Sequence, residues 1–289
     1  MPELPEVEVI KIFLENKLLN QKIVSLDILN TKSFIGDPKD ITNQTIIKFS
    51  RIGKQLSIYL SNGKILLVHL KMTGQLILNP LSSKGVPEGR GILMGHPTKI
   101  NSMPNNSTRI IFKFKKYILY FNDQRKFGWV QIFTPESLKM FQKNLGHDIL
   151  DDKFTPNYLY SQLQRSSRPV KSVLLDQNFF AGIGNIYAND ALFLSKIHPS
   201  VSANQITKIQ SKIIHKNLIV IMQQSILAGG STMKDNKYIR PDGSFGNNQF
   251  FFRVYQRSGQ SCLVCQTKIK RIVVGGRGTF FCPQCQPAL

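Results

Sequence analysis

Residues 55–70 read QLSIYLSNGKILLVHL, and this stretch decides the fold of the first half of the chain. Its first six residues alternate between polar and apolar side chains with a period of two, which predicts a β-strand with one buried face. Asn62-Gly63 is typical of a two-residue hairpin turn, and residues 64–70 supply the returning strand. The stretch therefore predicts an antiparallel β-hairpin.

Strand patterns extend outward from this hairpin, from about residue 22 to residue 133. Residues 109–114 and 117–121 predict a second hairpin, and residues 128–133 predict a further strand. Short antiparallel strands of this kind favour a sandwich or a barrel. Residues 79–107 are rich in Gly, Pro, Ser and Asn and exceed an ordinary hairpin loop, so they form an insertion or a mobile segment.

Helical periodicity flanks the predicted strands. Residues 3–19 carry apolar side chains at helical spacing, and Pro5 is tolerated in a first turn. Helices are also predicted at 135–145, 156–164 and 169–176. A capping-box pattern at residues 202–205 opens a long helix that ends at Gly229-Gly230, and residues 231–248 form a loop.

This order of elements predicts an α+β protein with an N-terminal helix and an antiparallel β-domain, then a helical domain and a small cysteine-bearing module. We place the boundaries at residues 1–134, 135–248 and 249–289.

Composition restricts the class of partner. The chain has 289 residues with 38 Lys+Arg against 17 Asp+Glu, a net charge of +21, which indicates a polyanionic partner. With 42% hydrophobic residues the chain can bury a core, so global disorder is excluded. No apolar run reaches the roughly 18 residues of a membrane span, and the acidic, proline-broken start is unlike a secretory signal. We expect a cytoplasmic protein.

The cysteines all follow residue 260, in the pattern Cys262-x2-Cys265-x16-Cys282-x2-Cys285. Two such pairs at this spacing are typical of a zinc site with four thiolates. Because four protein ligands leave no position for water, the expected Zn²⁺ is structural. The basic, glycine-containing stretch between the pairs predicts a β-hairpin whose tip carries Arg277, either as a solvated turn or as a probe of a DNA groove.

Two further segments have the composition of a reactive site. If Met1 is removed, Pro2 offers a secondary amine that can attack a sugar C1′, and Glu3 beside it can exchange a proton. The same residues also suit an ordinary helix start. Gly182 and Gly184 precede Asn185, a good N-cap, so this turn is either a phosphate site at a helix N-terminus or a simple turn.

Residues 1–8 (MPELPEVE), the Gly182–Tyr187 turn (GIGNIY) and the terminal cysteine hairpin, in this order, resemble the bacterial formamidopyrimidine-DNA glycosylases over essentially the whole chain. The resemblance implies a β-sandwich joined to a helix-two-turns-helix domain with a zinc finger, with duplex DNA in the cleft between them. It implies a monomeric bifunctional enzyme, both glycosylase and abasic-site lyase, which excises 8-oxoguanine and formamidopyrimidines and nicks the strand by β,δ-elimination. It also implies a cytoplasmic, nucleoid-associated location, one structural Zn²⁺ and no membrane partner.

The resemblance also assigns residues. Pro2 matches the nucleophile, Glu3 its acid/base partner and Glu6 a supporting carboxylate, while Lys54 and Arg277 match catalytic-site cations at the lesion sugar and phosphates. Met72 matches the methionine that fills the emptied stack, Arg125 the arginine that contacts the orphaned cytosine, and Phe127 a wedge beside them. Asn185 matches a phosphate-binding asparagine, and Lys171 is also expected to bind DNA. The metal ligands are Cys262, Cys265, Cys282 and Cys285.

The chain departs from the family pattern at several points. Asn105–Thr108 replaces a basic segment, Asn189-Asp190 stands where acidic residues are usual, and Gln256 replaces a glycine. Two other functions stay open: an endonuclease-VIII-like enzyme for oxidised pyrimidines, and a zinc-bearing DNA-binding protein that has lost the chemistry. Residues 231–248, where the family caps the flipped base, decide the lesion preference.

Overall fold

The computed structural model describes residues 2–81, 103–233 and 235–288. Most of the expected insertion, residues 82–102, lies outside the described residues. The chain forms two compact units, Met1–Lys143 with Ala228–Gln249, and Asn144–Leu227 with Phe250–Leu289. The structure thus groups the loop after residue 228 with the N-terminal unit, and the division into three domains stays a prediction.

The first unit begins with a helix and continues as strands. Its elements are α1 (Leu4–Leu18), β1 (Ile23–Ile28), β2 (Phe34–Ile35), β3 (Ile46–Ile52), β4 (Gln55–Leu60), β5 (Ile65–His69), β6 (Gly74–Pro80), β7 (Thr108–Phe114), β8 (Tyr117–Asp123), β9 (Trp129–Phe133) and α2 (Pro135–Gln142). The hairpin predicted from residues 55–70 is β4–β5, in which Gln55 pairs with His69.

These strands form two sheets, in the orders β1-β7-β8-β6 and β2-β9-β5-β4-β3. All neighbours are antiparallel except β2 and β9. Because side chains alternate along a strand, every second residue of each sheet points to the space between the two sheets. Leu56, Val68 and Phe121 lie there in one buried core with Val7 and Ile10 of α1. The first unit is therefore the expected antiparallel sandwich, with α1 packed on its core.

The second unit is mostly helical. Its elements are α3 (Pro156–Gln164), α4 (Val170–Leu175), α5 (Asn185–Leu194) and α6 (Lys208–Leu227), with the short parallel pair β10 (His147–Asp148) and β11 (Phe180–Ala181), and the C-terminal hairpin β12 (Lys270–Val274) and β13 (Arg277–Phe281). This is the expected helical domain with a terminal β-hairpin. The fold class inferred from the sequence is thereby confirmed.

The long helix begins later than the sequence predicts. The pattern at Ser202 opens only a short 3₁₀ turn, and the Ser202 hydroxyl donates to the Ser167 carbonyl instead. The capping box forms at the next Thr-x-x-Gln: the Gln210 amide donates to Thr207 Oγ1 at 3.2 Å, and the Thr207 amide donates to Gln210 Oε1 at 2.9 Å. A β-bridge between Pro169 and Ser202 keeps the earlier residues extended, so tertiary contacts select the second of two similar caps.

Within the described ranges, no helix combines the length and the apolar character that a bilayer crossing needs.

Candidate active site and nucleic-acid interface

The start of α1 is held in place by a buried carboxylate. Pro2, Glu3 and Glu6 are all buried, and Glu6 is only 1% exposed. The Glu3 amide donates to Glu6 Oε2 at 2.9 Å, and the Ser231 amide donates to Glu6 Oε1 at 2.9 Å. Glu6 therefore fixes the first residues of the chain and ties them to the loop that follows residue 228.

That loop approaches Glu6 closely at Gly230, the second of two consecutive glycines. Gly229 and Gly230 have φ of +76° and +81°, and a Cβ on Gly230 would lie 2.8 Å from Tyr238 Cε1 and 3.0 Å from Glu6 Cγ. The Tyr238 hydroxyl donates to the Gly229 carbonyl at 3.1 Å. Burial and the Glu6 carboxylate raise the pKa of Tyr238 well above its usual range, so Glu6 sits beside a neutral phenol.

Lys54 lies in the tight turn between β3 and β4, which is joined to α1 by an ion pair. The Arg51 guanidinium donates to Glu8 Oε2 at 2.7 Å and to the Gly53 carbonyl at 3.0 Å. Burial raises the pKa of Glu8, but hydrogen bonds from Lys11 and Arg51 outweigh it and the net pKa is lowered, so the carboxylate stays ionised. The sequence by itself indicates no role for Glu8 or Arg51, although they lie two and three residues from Glu6 and Lys54.

Met72, Arg125 and Phe127 lie on two loops of the sandwich. Phe127 is 55% exposed, Met72 is half-buried, and the Arg125 guanidinium lies 5.0 Å from the centre of the Phe127 ring. The residue before each apolar side chain has a positive φ, +50° at Lys71 and +59° at Lys126. Backbone strain of this kind is typical of functional sites, so both loops have the geometry of loops that present a side chain to a partner.

His69, at the end of β5, is held neutral. Its Nδ1 accepts the Lys71 amide at 3.0 Å, and its ring lies 5.8 Å from that of Trp129. Burial, followed by the charges of Lys71 and Lys54, lowers the pKa of His69 to about 3. Among the cations near this turn, His69 therefore contributes an uncharged imidazole.

In the second unit, two assigned residues converge on one carbonyl beside Arg277. Lys171 Nζ donates to the Gly278 carbonyl at 3.0 Å and to Thr279 Oγ1 at 2.6 Å, and Asn185 Nδ2 donates to the same Gly278 carbonyl at 3.0 Å. Two donors neutralise an oxygen that would otherwise repel an anion next to exposed Arg277.

These contacts change the expected roles of two residues. Asn185 is not the N-cap of α5: Gly184 holds that position, and Asn185 is the first helical residue, with its side chain directed to the hairpin. Lys171 is 0% exposed, so it lies beneath the hairpin surface. Direct DNA contact by Lys171 stays a prediction.

The residues at 189 and 190 anchor the C-terminal module. Asn189 Oδ1 accepts the Phe280 amide at 2.8 Å. Asp190 accepts the amides of Arg253, Val254 and Tyr255 at 2.9, 3.0 and 3.1 Å, and burial raises its pKa. In the sequence both residues stand out only as departures from the family pattern, because their partners lie more than sixty residues away.

The four cysteines have the geometry of a tetrathiolate zinc site. Their sulfurs all lie within 4.8 Å of one another, with Sγ–Sγ distances of 3.4 Å (Cys265–Cys282), 3.5 Å (Cys265–Cys285) and 3.9 Å (Cys262–Cys285). A tetrahedron of sulfurs about 2.3 Å from Zn²⁺ has edges of about 3.8 Å. Burial raises the pKa of Cys282 and Cys285, whereas hydrogen bonds from Thr267 lower that of Cys265, and a cation among the four sulfurs would favour the thiolate form of all of them. The set fits one structural Zn²⁺, as expected.

Family comparisons agree with this architecture. Residues 1–130 match the model of the formamidopyrimidine-DNA glycosylase N-terminal domain, residues 145–237 its H2TH domain, and residues 259–288 the zinc finger found in FPG and IleRS. The chain is 36% identical to the formamidopyrimidine-DNA glycosylase of Ligilactobacillus salivarius over 294 residues, which cover 99% of both chains. It is 33% identical to that of Bacillus anthracis over 298 residues and the full length of both.

Solved structures show the same fold. The crystal structure of MutM (Fpg) from Thermus thermophilus superposes with a TM-score of 0.85 at 31% identity, covering 99% of this chain and 98% of that one. A complex of Lactococcus lactis Fpg with DNA containing an abasic site gives 0.86 at 30% identity, covering 99% and 100%. Sandwich, helical domain and cysteine hairpin together define a zinc-finger DNA glycosylase of base-excision repair. The chain belongs to the formamidopyrimidine-DNA glycosylase family.

Proposed function

We propose that this protein excises oxidised purines, both 8-oxoguanine and formamidopyrimidines, from duplex DNA and then nicks the resulting abasic site. The observation that carries the proposal is the buried N-terminus, where Glu6 bonds the Glu3 amide and thereby holds Pro2 and Glu3 in one arrangement. Related proteins from L. lactis have been crystallised with Fapy-dG DNA and with abasic-site DNA, which supports the choice of substrates.

The chemistry follows from a secondary amine at Pro2 once Met1 is removed. The amine attacks the sugar C1′ as the bond from C1′ to the base nitrogen breaks, and the base leaves with that electron pair and a proton. The C1′–O4′ bond then breaks as O4′ takes up a proton, which leaves an iminium that withdraws electrons from C2′. Loss of a C2′ proton expels the 3′ phosphate, and loss of a C4′ proton expels the 5′ phosphate. Water finally hydrolyses the bond between C1′ and the Pro2 nitrogen, which releases the sugar fragment as an aldehyde and restores the free amine.

Glu3 supplies the proton transfers in this scheme, because its carboxyl belongs to the residue next to the amine. Glu6 acts through it: with both oxygens bonded to amides of Glu3 and Ser231, Glu6 orients the site. Lys54, Asn185 and Arg277 bind phosphates flanking the lesion, and Lys171 supports the carbonyl beside Arg277.

The two sandwich loops that carry Met72, Arg125 and Phe127 act in base flipping. Extruding a nucleotide costs a few kcal/mol, which inserted side chains offset. Met72 fills the emptied stack, Phe127 wedges the neighbouring step, and Arg125 leaves the Phe127 ring to bond the orphaned cytosine. Double-stranded DNA is then the partner of a monomer acting in the cytoplasm, at the nucleoid.

Borohydride trapping tests the covalent step. Incubation with an 8-oxoguanine duplex and borohydride should link the wild-type protein to DNA covalently. Pro2→Gly keeps a free α-amine, but a primary one, and should form less of this covalent complex. Glu3→Gln should bind the duplex and fail to cleave it, because the amide keeps the shape and loses the proton function. Glu15→Gln, the same change farther along α1, is the matched control and should cleave normally.

The outcomes separate the alternatives. Binding without trapping by the wild-type protein would identify a DNA-binding protein that has lost the chemistry. Faster excision of thymine glycol than of 8-oxoguanine would identify an oxidised-pyrimidine enzyme. Normal cleavage by Glu3→Gln would show that the catalytic centre is assigned wrongly.

A further inference from the structure

The two loops that carry Met72 and Phe127 both cross between the same two sheets, in opposite directions. Residues 70–73 lead from β5 in one sheet to β6 in the other, and residues 124–128 lead back from β8 to β9. β6 pairs with β8 through Gly74 and Asp123, and β5 pairs with β9 through His69 and Trp129. The strand register therefore places the loops side by side at one edge of the sandwich.

Asp123, the last residue of β8, organises the second of these loops. It is 0% exposed, and its Oδ2 accepts the Gly128 amide at 2.6 Å while its Oδ1 accepts the Arg125 amide at 3.1 Å. A buried carboxylate requires such donors, because its charge has lost contact with water. Asp123 thus closes the loop around Phe127, and a Cβ on Gly128 would lie 3.1 Å from Asp123 Oδ2.

Thr73 joins this carboxylate to the first loop. Its side chain is buried, and its hydroxyl donates a hydrogen bond to Asp123 Oδ1. The same Oγ1 accepts the Arg125 amide at 3.1 Å. One hydroxyl therefore bonds the carboxylate and the backbone of the second loop at once, directly beside Met72.

We propose that Thr73 and Asp123 are positioning residues that couple the two loops, so that Met72 and the Arg125/Phe127 pair insert into DNA as one body. This inference rests on the proposed function, because it concerns the base-flipping step of that reaction. Neither side chain reaches out to the DNA: both are buried, and they act through the loops that they join.

Thr73→Val tests the coupling, because it removes the hydroxyl and keeps the volume. We expect single-turnover excision of 8-oxoguanine from a duplex to slow on the order of tenfold, the effect of losing one buried hydrogen bond. Nicking of a preformed abasic site, which needs no base extrusion, should change less than about twofold. Thr73→Ser restores the hydroxyl and should restore excision.

A double-mutant cycle separates coupling from simple loss of packing. In the wild-type background, Met72→Ala and Phe127→Ala should together slow excision by a factor that differs at least about threefold from the product of their separate effects. In the Thr73→Val background the two effects should multiply, because the loops then move independently.

Equal slowing on both substrates, or the same cycle in both backgrounds, would overturn the coupling while leaving the proposed function intact. Excision by Thr73→Val at the wild-type rate would also overturn it. Wild-type protein that neither excises nor nicks would instead overturn the proposed function and this inference with it.

Discussion

The sandwich unit and the cysteine module both hold candidate DNA-binding side chains in fixed positions, but they are stabilised by different interactions. The sandwich buries one continuous core that includes side chains from both sheets and α1. Among the described residues, the core around the cysteines has five buried members, and two of them are metal ligands: Phe193, Val254, Cys262, Ile269 and Cys282. A module this small cannot bury enough apolar surface to fold by itself, so the metal replaces the missing core.

The hydrogen bonds differ in the same way. In the sandwich unit, buried carboxylates accept backbone amides: Glu6 holds the start of α1 and the loop after residue 228, and Asp123 holds the loop between β8 and β9. At the hairpin, Lys171 and Asn185 donate to a carbonyl, which fixes a strand from outside. The sandwich unit is thus held rigid by its sheets, whereas the cysteine hairpin is held by side chains from neighbouring helices and by the metal.

Loss of the metal should break the comparison most strongly. Cys282→Ser removes one of the four ligands and should abolish stoichiometric zinc binding. The module should then unfold locally, because structural Zn²⁺ contributes on the order of 10 kcal/mol to the folding of small modules. Hydrogen exchange should then become fast over β12 and β13 and stay slow over β4 and β5. Gln284→Ala, an exposed residue within the same knuckle, should keep the zinc. Protection of β12 and β13 in zinc-free protein would refute the dependence on metal.

Acid should act on the sandwich unit through His69. The folded pKa of about 3 lies below the usual 6.5, so the unfolded chain binds the proton first. The contribution of neutral His69 to the free energy of unfolding is therefore fully present above pH 6.5 and is lost as the pH falls towards 3. The loss is up to about 1.4 kcal/mol per pH unit, or about 2 kcal/mol by pH 5. Fluorescence of Trp129, the single tryptophan, reports unfolding of this unit.

His69→Gln is the control for that measurement, since glutamine does not titrate. Its urea midpoint should fall less steeply between pH 6.5 and pH 5 than that of the wild-type protein. Identical slopes would show that His69 is not the group responsible.

The salt dependence of DNA binding compares one cation from each region. About five phosphate contacts predict a slope of log affinity against log salt of about −4 to −5, and Lys54→Ala and Arg277→Ala should each reduce it by about 0.9. Arg271→Ala, an exposed arginine on the same hairpin, is the control and should change the slope less. An equal change from Arg271→Ala would mean that the hairpin attracts DNA only diffusely.

The smallest expected effect concerns backbone strain in the cysteine module. Gln256 has φ +55°, a conformation that costs a non-glycine residue roughly 1 kcal/mol. Gln256→Gly should therefore raise the unfolding temperature slightly in calorimetry. Gln256→Ala keeps the Cβ and should bring no gain, and an equal gain from both variants would exclude strain as the cause.

Local patterns determined much of this protein. The β4–β5 hairpin, the cysteine ligand set and the start of α3 follow from neighbours within a few residues, where turn chemistry and periodicity decide the conformation. The family resemblance placed Pro2, Glu3, Lys54 and Arg277, and their roles remain proposals tested by the trapping and salt experiments.

Only the tertiary structure decided how these residues are supported. The bonds from Thr73 to Asp123 and from Ser231 to Glu6 join positions 50 and 225 residues apart, and the burial of Lys171 depends on a strand more than 100 residues later. The choice of Thr207 over Ser202 as helix cap has the same origin. A sequence pattern records what a residue prefers beside its neighbours, whereas a buried charge or hydroxyl is satisfied by whatever donor the packed chain brings within about 3 Å.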